Sequence, residues 1–139
     1  MIETKPSTKQ ISRTAGKIHW VRILIGGFLA ELAIFAVFIP ATALIGVQTG
    51  VYTAVGASLV MPFLFGIWTA RRIESRFVLH GVLVGAVGVL IYVALTRAQP
   101  EPLLYVAAHG LKLLGGAAGG YVVQKRRGTS AGAFEDLRS

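Results

Sequence analysis

Three ionisable side chains stand inside long apolar stretches of this chain: Glu31, His109 and Lys112. A charge in such surroundings either pairs with its opposite or holds a proton or cation that water would otherwise carry. Glu31 lies nine residues beyond Arg22, and Lys112 lies nine beyond Leu103, about 13 Å of helix in each case. Counted from opposite ends, the two depths converge near the middle of a bilayer-sized layer, where an unpaired charge is costly. The spacing predicts a Glu31–Lys112 ion pair between a first and a fourth helix, with His109 one turn outward as a hydrogen-bonding neighbour. Tyr105, His109, Lys112, Gly116 and Gly119 recur at steps of three and four residues, so they share one helical face. The overlapping pairs Gly115/Gly119 and Gly116/Gly120 lie on or beside that face and invite close packing.

Other chemistry finds little purchase. The chain has no cysteine, which leaves out disulfides and thiol catalysis and removes the commonest structural zinc ligand. It contains no glycine-rich phosphate loop with its lysine, no His-Glu-x-x-His and no paired metal-ligand spacing. Ser58 has no base near it in sequence and falls in a row of small residues, so it reads as packing and not as a nucleophile. His19 and His80 border apolar runs and read as interfacial residues. The expectation is a protein that is not an enzyme and holds no cofactor and no metal.

The elements that must position these residues follow from composition. Of the 139 residues 54% are hydrophobic and only 14% are charged, with a mean hydropathy of +0.66. So small a soluble domain could not hide that much apolar surface. The formal charge of +8 could suggest nucleic acid, but the basic residues border apolar runs instead of forming one face, so no nucleic-acid partner is expected. Four apolar runs, at about 23–45, 51–70, 77–96 and 103–123, predict an all-α integral membrane four-helix bundle of two helical hairpins. The bundle occupies 18–127, between a basic tail at 1–17 and a polar tail at 128–139, both expected to be disordered. Ala41-Thr42-Ala43 offers a small-x-small cleavage pattern, but the preceding run is too long for a signal peptide and carries Glu31.

Local signals refine this plan. Pro40 removes an amide near the end of the first run and predicts a kink there. The uncharged link 46–50, with a glycine at each end, predicts a tight turn. In the second run Gly50, Ala54, Ser58, Pro62, Gly66 and Ala70 recur every fourth residue, although a four-residue step overshoots the helical repeat, so three or four of them can face one partner. Gly81, Gly85 and Gly88, at steps of four and three, place small residues near the start of the third run. The prolines of 97–102 end that run.

Orientation is set by where the bases fall. Lys5, Lys9, Arg13, Lys17, Arg22, Arg71, Arg72, Arg76, Lys125, Arg126, Arg127 and Arg138 lie on one side, and Arg97 alone lies on the other. Positive charge stays inside, so both termini are expected in the cytoplasm, with the protein in a plasma membrane, the inner membrane in a bacterium. The two hairpins also share small residues early and an aromatic with a basic pair late, the pattern of a duplication about an axis along the membrane normal.

Gly26-Gly27-Phe28-Leu29-Ala30-Glu31 resembles the first-helix glutamate segment of the small multidrug resistance transporters. The resemblance covers six residues. It implies a four-span fold in which Glu31 is shared between a drug cation and a proton. Lys112, able to neutralise Glu31, and the twelve-to-one charge bias both depart from that family's pattern.

Two functions therefore stand side by side. One is a non-enzymatic structural or interaction component, its partners the lipid bilayer, a second copy of itself or another membrane protein, packed through Gly81, Gly85, Gly115, Gly116, Gly119 and Gly120. The other is a small oligomeric proton- or cation-coupled transporter that uses Glu31.

Overall fold

A computed structural model describes residues 18–97 and 102–136, with side chains to Gly128. The tail 1–17, the linker residues 98–101 and the last three residues, for which disorder or a stop was expected, lie outside the described residues. The described chain is all-helical: α1 (Trp20–Ile45), α2 (Val47–Ala70), α3 (Phe77–Thr96) and α4 (Leu103–Asp136).

Three of these helices, α1, α2 and α3, are long and apolar enough to cross a membrane. The run expected as a fourth span does not reach that level, because His109, Lys112 and the glycines of α4 dilute its leucines and valines. It nevertheless packs against both α2 and α3. α4 also continues to Asp136, beyond the expected end at 123 and through most of the expected polar tail. No proline follows Val123, and Gln124, Lys125, Arg126 and Arg127 are good helix formers.

The link between α1 and α2 is shorter than expected. Gly46 alone is non-helical, at φ 120° and ψ 162°, a region closed to side chains with a Cβ. Its amide donates to the Thr42 carbonyl (3.2 Å) and its carbonyl accepts from Gly50 (3.0 Å). Gly50 faces Thr42 so closely that a Cβ there would overlap the threonine side chain. The α2–α3 turn is held from α4: the Arg127 guanidinium donates to the carbonyls of Ile73 (2.8 Å) and Arg71 (2.7 Å).

Large apolar side chains crowd the surface, and glycines and the charged pair share the interior with Ile23, Ile73 and Val84. Leu24, Phe28, Leu32, Ile39, Leu64, Leu90 and Leu114 point outward, while Gly26, Gly27, Gly66, Gly81, Gly85, Glu31 and Lys112 are inside. Such a distribution suits a lipid surround, where large apolar side chains gain nothing by burial and small ones let backbones meet.

The bundle is a rhombus in section. α1 touches α2 and α3, α4 touches α2 and α3, and α2 touches α3, but among the described residues no α1 backbone position comes within 8 Å of α4. α1 and α4 sit at the ends of the long diagonal.

Candidate functional site

Across that diagonal the Lys112 ammonium donates to both oxygens of Glu31, at 2.9 Å to Oε1 and 2.8 Å to Oε2. Each side chain keeps only 3% of its surface exposed. Glycines make the crossing possible. Gly26 and Gly27 seat α1 on its neighbours: a Cβ at Gly27 would lie 2.9 Å from the Val84 carbonyl oxygen of α3, and one at Gly26 would lie 2.6 Å from Thr69 Oγ1 of α2. One turn later Glu31 comes level with Gly88, where an added Cβ would stand 3.1 Å from Oε2. On the other flank a Cβ at Gly85 would overlap the Lys112 carbonyl. α3 thus offers a glycine floor over which side chains from α1 and α4 meet.

The two overlapping glycine pairs of α4 serve different neighbours. Gly116 and Gly120 face α3, where added Cβ atoms would overlap the carbonyls of Gly81 and Phe77. Gly115 and Gly119 face α2, against the carbonyls of Leu59 and Phe63. The small-residue row of α2 divides likewise, since Gly50 meets Thr42 of α1 while a Cβ at Gly66 would lie 2.9 Å from the Gly116 carbonyl oxygen of α4.

The glycine contacts among α2, α3 and α4 and those of Gly26 and Gly27 lie in the half of the bundle nearer Trp20 and Val123. In the other half, although α1 and α2 meet closely at Thr42 and Gly50, a cavity of about 340 Å³ lies between the helices. Glu31 and Lys112 line it, with Phe35, Phe38, Ala54, Ser58, Tyr92, Leu95, Thr96, Tyr105, Ala108 and His109 among the other walls. Ser58 Oγ donates to the Ala54 carbonyl (2.8 Å), so its hydroxyl is satisfied within its own helix. His109 packs edge-on against Tyr92, with ring centroids 4.9 Å apart. The Lys112 ammonium sits 4.9 Å from the same Tyr92 ring, and Tyr105 stacks on Tyr92 at 6.3 Å.

Tyr92 is thus the centre of the polar wall and was missed as a site residue. Its signal is present: Gly81, Gly85, Gly88 and Tyr92 follow one another at steps of four, three and four, on one face. A terminal aromatic in an apolar run reads first as an interfacial anchor, which hides that signal.

His80 lies in the first turn of α3, at the end of the apolar run as expected. It is fully buried. Its Nδ1 meets the Arg76 carbonyl (2.9 Å), and its Nε2 accepts the His19 backbone N–H (3.3 Å). Together these bonds require the neutral tautomer with Nδ1–H as donor. His19 is the N-cap position of α1 and makes no side-chain cap bond of its own, so an imidazole from α3 satisfies a donor at the start of α1.

What the site can do chemically is hold a pair of opposite charges almost wholly withdrawn from the surface. It presents one carboxylate, one ammonium, the rings of Phe35, Phe38, Tyr92, Tyr105 and His109, and no arrangement of nucleophile and base. Compared with protein-family models, curated proteins and solved structures, the chain matches none. The six-residue likeness of Gly26–Glu31 to the small multidrug resistance segment is therefore joined by no match along the chain.

Proposed function

We propose that the protein is a small multi-pass integral membrane component, not an enzyme, inserted with both termini in the cytoplasm of a plasma membrane. It works through packing, within its own bundle and against a second copy or another membrane protein. The observation that carries this reading is the two-pronged Glu31–Lys112 pair joining helices whose backbones do not otherwise meet. Both carboxylate oxygens accept from one ammonium, as a register-fixing pair requires. The outward-facing leucines and the glycine interior support insertion, and the charge bias supports the orientation.

Two measurements test it. Reporter fusions at each end, active on one side of the membrane only, should place both termini in the cytoplasm; a terminus outside removes the orientation. Lys112→Ala should lower accumulation, and adding Glu31→Ala should recover part of it, because the double variant leaves no orphan charge. Equal loss in both variants removes the structural role of the pair.

A second reading, a small oligomeric transporter that couples a proton or cation through Glu31, has one specific support: the pair borders a cavity instead of being sealed on every side. Proton release from purified protein on adding a substrate favours it, and no release across a broad panel of cations removes it.

A further inference from the structure

We infer that the cavity above Glu31 and Lys112 is a binding site for a small zwitterion, a molecule carrying an ammonium and a carboxylate close together on an apolar, preferably aromatic, body. The inference deepens the second reading by naming what the cavity takes, but it requires binding only and does not depend on transport.

Charge balance is the first argument. The floor of the cavity holds one negative and one positive group, both almost wholly withdrawn from solvent, and sums to zero. A ligand with a net charge would bring an uncompensated charge into a site with little water to screen it. A lone amine or a lone acid would leave the occupied site with a net charge of one sign. A zwitterion adds no net charge and can dock head to tail with the existing pair, its ammonium on Glu31 and its carboxylate on Lys112.

Donors and acceptors give the second argument. The Lys112 ammonium has three N–H groups, and the bonds to Oε1 and Oε2 account for two. Each carboxylate oxygen of Glu31 has a second lone pair. The pair can therefore accept a zwitterion without breaking, completing a square of alternating charges.

Shape gives the third. Beyond the pair the walls are Phe35, Phe38, Tyr92, Leu95 and Tyr105, suited to an aromatic or branched side group. A cavity of about 340 Å³ matches the lower end of small-molecule sites.

The test is calorimetric titration of the purified full-length protein with three probes of one shape: L-phenylalanine, phenethylamine and 3-phenylpropionate. L-Phenylalanine should bind saturably and at least about tenfold more tightly than either singly charged analogue. Ala54→Leu, which adds bulk at the cavity wall and leaves Glu31 and Lys112 in place, should abolish that binding while leaving thermal unfolding cooperative. Equal or tighter binding of phenethylamine overturns the inference in favour of an amine site on Glu31. No saturable binding of L-phenylalanine, unchanged binding by Ala54→Leu, or a co-purified phospholipid that L-phenylalanine cannot displace also overturns it. Absence of proton release across the cation panel would remove the transporter reading and leave these isotherms standing, so the inference and the reading it rests on fail separately.

Discussion

Lys112 on α4 reaches Glu31 on α1 across the long diagonal of the bundle, with contacts of 2.9 and 2.8 Å, although the two helices have no backbone approach within 8 Å. Two side chains span what two backbones do not. The space beside them is the cavity, so the pair and the opening have one geometric cause.

The first prediction concerns that pair. Glu31→Gln or Lys112→Met alone leaves one buried charge without its partner, a loss of about 3–5 kcal/mol by analogy with buried pairs elsewhere. The combined variant should unfold closer to the parent than either single variant. A double-variant cycle on thermal or denaturant unfolding in detergent measures the coupling, and a value near zero would deny the pair its part in stability.

Glycines of α4 should divide sharply by position. Gly116→Ala drives a Cβ into the Gly81 carbonyl and should cost about 1–3 kcal/mol, as overpacking does. Gly110→Ala meets nothing within 4 Å and should gain about 0.5–1 kcal/mol from lower unfolded-state entropy. Unfolding midpoints of the two variants in the same detergent should move in opposite directions. Matching shifts would mean that α4 does not lie on α3 through that face.

Gly46→Ala tests the single-residue link. At φ 120° a Cβ is strained whatever the surrounding space, and about 1–3 kcal/mol is the expected cost. Since nothing lies within 4 Å of that Cβ position, the loss would be purely conformational. Gly46→Asn, better tolerated at positive φ, should lose less; an alanine variant as stable as the parent would exclude the observed turn.

His80→Ala removes the acceptor for the His19 amide and the partner of the Arg76 carbonyl at once. Amide exchange at the first turn of α1 should quicken, while exchange near Gly116 stays as in the parent. His80→Phe keeps the volume and loses the bonds, so the same local quickening should follow. If His80→Phe protects the first turn as well as histidine does, the imidazole serves there as filling and not as a cap.

Sequence by itself determined the helices, the inward place of small residues and the choice of Glu31 and Lys112, because hydropathy, helical rise and the cost of a buried charge all act along one dimension. A run of apolar residues is apolar in any arrangement, and a depth of nine residues is the same on any face. Boundaries escaped it where the deciding force was remote or absent. The 46–50 link shrank to Gly46 because α2 could begin as soon as one residue had turned the chain, and α4 ran past 123 because nothing locally stops it.

Tertiary structure alone decided which neighbour each glycine meets, that Tyr92 stands between Lys112 and His109, that His80 caps α1, and that a cavity opens beside the pair. Each depends on the rotation and crossing of helices. A step of about 100° per residue fixes which side chains share a face, but leaves open what that face meets until α1, α2, α3 and α4 have packed.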